Sequence, residues 1–146
     1  MENTGPPIGQ TALMVKRLQI RHHRAADAAL QKLGLSLVQW DALRHLHENP
    51  EASLHDLAKL TFQTDQSMGT LATRMQARGL IERVPGPGRA VRHRLTAEGQ
   101  RLRSQGASIV QERFEDSFAP LSVQELRTFD RLLRKVLGSD APPPPA

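Results

Sequence analysis

Within one short stretch this chain places Thr64, Gln66, Ser67, Thr70, Thr73 and Arg74, and a little further on Arg89, Arg92 and Arg94. These side chains share one chemistry. Small hydroxyls can approach a surface closely and exchange hydrogen bonds with anionic oxygens. A glutamine amide donates and accepts together, which matches an adenine edge, and a guanidinium forks onto guanine or holds a phosphate. Between Thr64 and Leu95 six arginines (Arg74, Arg78, Arg83, Arg89, Arg92 and Arg94) face two acids, Asp65 and Glu82. That segment therefore holds a net +4 of the chain's formal +5. Charge gathered on one segment points to a polyanion more firmly than a basic composition does. The plainer alternative is a solvated basic hairpin with no partner.

Elements that could position these residues are marked by helix-start signals. Ser36 with Gln39 forms a capping-box pattern, with Leu35 and Trp40 at staple spacing. Ser122 with Glu125 repeats the device, with Leu121 and Leu126 as its staple. Ser53 with Asp56 is a weaker version, because aspartate is shorter, and Thr64 and Thr96 are N-cap types. These starts predict a mainly α chain. A first helix runs from about Thr11 to Leu33, a second from Leu37 to Glu48, a third from Leu54 to Leu60 and a fourth from Asp65 to Arg78. Strands follow over Leu80 to Val84 and Ala90 to Leu95, then helices over Ala97 to Phe118 and Val123 to Leu137.

A helix, a short turn, a second helix and a hairpin make a winged helix-turn-helix over residues 36–96. In such a unit the N-terminal part of the second helix faces base edges and the wing reaches backbone or minor groove. Here that part holds Thr64, Asp65, Gln66, Ser67, Gly69, Thr70, Thr73 and Arg74. Gly69 costs a helix roughly 1 kcal/mol relative to alanine. Close approach to DNA or to a neighbouring helix would explain it, as would simple tolerance. Leu71, Met75 and Leu80 read as core. The wing, Pro85-Gly86-Pro87-Gly88-Arg89-Ala90, is a tight turn. After it Arg92 and Arg94 share one strand face, while Val91, His93 and Leu95 share the other.

Three helical stripes flank this unit. The first helix carries Val15, Leu18, His22, Ala25, Ala29 and Leu33. The fifth carries Leu102, Gly106, Ile109, Val110, Phe114 and Phe118. The sixth carries Leu126, Phe129, Leu133, Val136 and Leu137. With 38% hydrophobic and 3% aromatic residues, a large self-contained core is thin. Residues 11–35 and 97–138 are therefore expected to form a helical dimerisation region across a two-fold axis. A monomeric six-helix bundle is the alternative. Residues 1–10 read as a flexible N-terminus, and 139–146, with Pro142 to Pro145, as a disordered tail.

Other chemistries find little support. The chain has no cysteine, hence no disulfide, thiolate metal site or cysteine nucleophile. No apolar run reaches membrane-spanning length and no signal-peptide pattern is seen, so a cytoplasmic location is expected. His22, His23, His45, His47, His55 and His93 raise a zinc-responsive reading. Adjacent or next-but-one histidines point to different helix faces, however, and zinc needs three or four convergent ligands. Gly86-Pro-Gly88 lacks a dinucleotide loop's third glycine, and no nucleophile motif is present, so neither a cofactor nor an enzymatic activity is expected. A winged-helix module that binds protein and never DNA stays open as a third class.

From Leu35 to Leu102 the sequence resembles the MarR family of winged helix-turn-helix transcriptional regulators. The resemblance rests on Leu35-Ser-Leu-Val-Gln-Trp40, Leu54-His-Asp-Leu-Ala58, Arg74-Met-Gln-Ala-Arg-Gly-Leu-Ile-Glu-Arg83, Arg89 and Leu95-Thr-Ala-Glu-Gly99. Leu121-Ser-Val-Gln-Glu-Leu126 is similar to the family's last helix. Two positions depart: Pro87 stands where the wing usually has an acid, and Gly69-Thr70 where the reading helix often has Thr-Arg. The resemblance implies a homodimer built on the first and last helices and a repressor bound to a pseudo-palindromic operator in double-stranded DNA. It also implies release when a small aromatic effector enters the crevice between dimer helices and DNA-binding lobe.

Overall fold

The computed structural model of the protein describes residues 5–86, 88 and 90–144. Its elements are α1 (Ile8–Leu30), α2 (Leu37–Glu48), α3 (Leu54–Leu60), α4 (Asp65–Ala77), β1 (Ile81–Val84), β2 (Arg92–Leu95), α5 (Ala97–Phe118) and α6 (Val123–Leu137). The chain divides into two compact units, Met1–Arg113 and Phe114–Ala146.

The marked starts hold. Ser36, Ser53 and Ser122 each accept a hydrogen bond from the backbone N–H three residues on, and the side chain there accepts one from the serine N–H. Asp56, expected to be a weaker partner, closes the box fully, with Ser53 N–H donating to its Oδ2 at 2.9 Å. Thr64 accepts from Ser67 N–H at 3.1 Å, and Thr96 from Gly99 N–H at 3.0 Å. α1 begins earlier than Thr11, within the stretch expected to be flexible. The Pro7 carbonyl accepts from Gln10 and Thr11 N–H at 3.0 and 3.2 Å, and proline's fixed φ suits a helix start. The residues after Leu30 tighten into a 3₁₀ turn, Gln31–Leu33. Part of the expected tail is also ordered. Gly138–Asp140 forms another 3₁₀ turn, and Arg134 donates to the Pro142 carbonyl at 2.6 Å. Residues 1–4, 145 and 146 lie outside the described residues.

Three helix ends in the first unit share one geometry, the paired 6→1 and 5→2 hydrogen bonds closed by a left-handed residue. After α1, Gly34 (φ 67°) serves, with Leu35 N–H reaching the Leu30 carbonyl at 3.3 Å and Gly34 N–H the Gln31 carbonyl at 2.9 Å. After α4, Gly79 (φ 73°) serves, with Leu80 bonded to Met75 and Gly79 to Gln76, both at 3.0 Å. After α3 the same bonds run from Gln63 to Ala58 at 2.8 Å and from Phe62 to Lys59 at 3.2 Å, but the left-handed residue is Phe62 (φ 56°). A side chain in that conformation costs roughly 1–2 kcal/mol that glycine does not incur. Among the described residues the Phe62 ring finds nothing to offset this, being 98% exposed.

The core of the first unit is built on Leu30, Leu35, Leu43, Met68, Met75 and Leu80, all fully buried. Met75 and Leu80 are core as expected, while Leu71 is only half-buried. α1 contributes Ala26 and Leu30 to this core, one position on from the predicted Ala25 and Ala29. One residue is about 100° of helix rotation. The predicted stripe therefore lies on the neighbouring face and stays partly or largely open, Val15 by 56%. α5 buries Leu102, Gly106 and Val110. Gly106 lies against the ring of Trp40, where an added Cβ would stand 2.6 Å from Nε1. That indole N–H donates to the Arg103 carbonyl at 3.0 Å.

In the second unit no residue of α6 is buried. Its Phe129 ring lies 5.9 Å from that of Phe118. Leu126, Leu133, Val136 and Leu137 of the predicted stripe remain exposed.

Candidate nucleic-acid interface

α4 follows α3 through the turn at Phe62, and its two faces differ completely. Met68, Ala72 and Met75 are buried, whereas Thr64, Gln66, Ser67, Thr70, Thr73 and Arg74 are all exposed. Several of these polar groups are pre-arranged. Thr64 donates to Ser67 Oγ at 3.0 Å, and Thr70 and Thr73 donate to the carbonyls of Gln66 and Gly69 at 3.1 and 3.0 Å. Their hydroxyl protons point back to the helix, so their oxygens are left as acceptors toward solvent. A Cβ on Gly69 would meet nothing within 4 Å, so no neighbouring helix among the described residues requires that glycine. An open groove beside the helix is lined by Gln63, Gln66, Ser67, Thr70, Leu71 and Arg74.

Two features here were not read from the sequence. Gln63 joins this groove and donates to Thr61 Oγ1 at 3.1 Å. Asp65, an acid at the head of a helix expected to meet phosphates, lies 2.7 Å from His55 Nδ1, which ties the start of α4 to α3. The carboxylate also complements the positive end of the helix. Neither could be found by spacing, because each depends on how the α3–α4 turn folds back.

The wing is an antiparallel pair, with Ile81 opposite Leu95, Glu82 opposite Arg94, Arg83 opposite His93 and Val84 opposite Arg92. A further bridge joins Ser53 to Arg92, and Leu54 N–H donates to the Val91 carbonyl at 2.8 Å. The hairpin is thereby fastened to the head of α3. The strand faces alternate as predicted: Arg92 and Arg94 are exposed, His93 is buried, and Val91 and Leu95 are half-buried. Arg89 at the tip and Pro87 lie outside the described residues.

The six arginines are not equivalent. Arg94 Nε lies 2.6 Å from Glu82 Oε1 across the hairpin. Arg78 Nη1 donates to the Gly34 carbonyl at 2.6 Å, bracing the turn before α2. The segment's net charge is thus correct as a sum, but part of it is engaged within the chain. His93 packs under the sheet with its Nδ1 unpartnered among the described residues. Burial, helped by the nearby Arg83 charge, holds its imidazole below the ordinary value. Among the described residues no group of three His, Cys, Asp or Glu side chains could hold a metal ion. No helix there is long and apolar enough to cross a membrane.

A polar helix face beside a basic hairpin defines a winged helix-turn-helix. Residues 33–90 match the model of the MarR family. The HTH-type transcriptional repressor Rv2887 of Mycobacterium tuberculosis is 34% identical over 116 residues, which is 78% of this chain and 83% of that protein. The chain belongs to the MarR family. Crystal structures of the same mycobacterial protein superimpose with a TM-score of 0.73. One is in complex with DNA (27% identity, 90% of this chain and 98% of that one), and another is in complex with salicylic acid (28%, 91% and 98%).

Proposed function

We propose that this chain is a cytoplasmic, non-catalytic transcriptional repressor that binds double-stranded DNA as a homodimer and is released by a small aromatic acid. The observation that carries the DNA reading is the division of α4 into a buried face and a face of six exposed polar residues, Thr64, Gln66, Ser67, Thr70, Thr73 and Arg74. On this reading α4 enters a major groove. Arg89 and Arg92 hold phosphates or the minor groove, and Arg94 must exchange Glu82 for a phosphate to join them. The homodimer rests on residues 11–35 and 97–138, and the uncovered apolar residues of α6 support it.

The effector is supported by the mycobacterial relative's complex with salicylic acid and by an open concavity on α1 lined by Arg17, Ile20, Arg21, Arg24 and Ala25. Arginines next to Ile20 and Ala25 in the lining suit an aromatic carboxylate.

The test is selection of duplexes from a random pool, followed by titration. Selected sites should contain inverted half-sites about 10 base pairs apart. If the dimer neutralises on the order of 6–10 phosphates, affinity should fall by about 10³–10⁵ between 50 and 200 mM salt. Salicylate added to the complex should release the DNA. Failure to enrich any duplex would remove the reading and favour a protein-binding winged helix.

A further inference from the structure

We infer that Phe62 is a DNA-contacting residue that lays its ring against the sugar-phosphate edge of the groove entered by α4. The inference rests on the DNA-binding reading above and adds to it an apolar contact outside the polar face of α4.

Three observations lead there. The first is the comparison among the chain's own helix ends. Gly34, Gly79 and Phe62 occupy the same left-handed position in the same hydrogen-bonded motif, and two of the three are the residue that the motif favours. Nothing in the hydrogen bonding of the third requires a side chain, so the ring is not explained by the turn it sits in. The second is exposure. At 98% the phenyl ring is the most open of the large apolar side chains described, and among the described residues nothing covers it to compensate the backbone strain. Strain retained at an exposed site is accounted for by something the free protein does not contain.

The third is position. Phe62 stands two residues before Thr64, the cap of α4, and next to Gln63, which lines the groove beside that helix. The N-terminal end of a reading helix is the end that enters the major groove, so the turn before it comes to lie at the groove's edge. What an aromatic ring meets there is deoxyribose, together with any thymine methyl at the rim. Contact with sugar is common to all sequences. The ring is therefore a gripping element, and base discrimination remains with α4.

The experiment uses the full-length protein and a duplex that it enriches from a random pool, with a scrambled duplex of equal length. Phe62→Gly restores the residue favoured by the turn, so its melting temperature should equal or exceed the parent's. Its affinity should fall about tenfold on both duplexes, the scale of losing a partly buried aromatic contact. An apolar contact releases no counterions, so the slope of log affinity against log salt should stay at the parent's value, whereas Arg74→Ala should reduce it by about one. Phe62→Trp should keep the affinity.

Phe62→Gly binding as tightly as the parent would overturn the inference, and so would a fall in its melting temperature, which would give the ring a structural role. A salt slope altered as in Arg74→Ala would exclude an apolar contact. If the parent enriches no duplex at all, the DNA-binding reading fails first and this inference with it.

Discussion

α4 and α6 are similar helices by local criteria and opposite ones by tertiary criteria. They have 13 and 15 residues, each starts at a hydroxyl cap, and each carries apolar residues at helical spacing. α4 buries its apolar face and shows a polar one, whereas α6 buries nothing and shows Leu126, Leu133, Val136 and Leu137. Caps decide where a helix begins. Which face is covered depends on what the fold brings against it. An amphipathic helix whose apolar side stays open within its own chain is completed by another chain, and the proposed two-fold partner is that chain.

Four experiments test this contrast. The largest effect is expected from Leu126→Asp combined with Leu133→Asp. Placing charges in the open stripe of α6 should convert the particle from two chains to one in light scattering at micromolar concentration and abolish two-lobed DNA binding. Retention of the two-chain mass would break the contrast by showing that α6 is not the seam.

Met75→Ala, on the covered face of α4, should cost about 2–5 kcal/mol in denaturant unfolding, a loss expected for a fully buried side chain. A cost below about 1 kcal/mol would mean that this face is less tightly packed than its burial indicates.

Cap removal should act more gently and alike on both helices. Thr64→Ala and Ser122→Ala should each lower stability by about 0.5–2 kcal/mol. Only Thr64→Ala is expected to weaken DNA binding as well, and equal binding by the two variants would blur the contrast.

The smallest effect concerns pH. Burial depresses the His93 imidazole, so the unfolded chain binds more protons than the folded one between that depressed value and the ordinary value near 6.5. Stability should therefore be full above pH 6.5 and decline as pH falls below it. His22 and His45 are also held low, chiefly by burial, and titrate in the same sense. His93→Leu should remove part of the decline, and an unchanged slope would assign it to the other two.

Much of the fold was legible because it is written in short-range chemistry. Ser36 with Gln39, Ser122 with Glu125, and the alternation of Arg92, His93 and Arg94 each need only neighbours in sequence to take effect. The two faces of α4 followed from its 3.6-residue period. What escaped depends on distant groups. Arg78 looked like one more surface cation, but reaching the Gly34 carbonyl requires α4 and the turn after α1 to be adjacent. Arg94 could be paired with Glu82 only once the hairpin register was known. On α1 the sequence singled out the stripe that stays partly open within one chain, but not the neighbouring Ala26 and Leu30, which enter the core only because of what packs against them. Phe62 left a signal that could have been used: the α3–α4 turn contains no glycine.

The chain also carries a built-in optical gauge. It has one tryptophan and no tyrosine, so its near-ultraviolet emission comes from a single indole. That indole is wedged between the ridge of α5 at Gly106 and the Arg44 guanidinium, whose carbon lies 5.8 Å from the ring centre, with its N–H held by the Arg103 carbonyl. Any rearrangement that parts α2 from α5 would admit water to the ring and move its emission to longer wavelength. The coming and going of a ligand could then be followed in unlabelled protein, in real time and at one site.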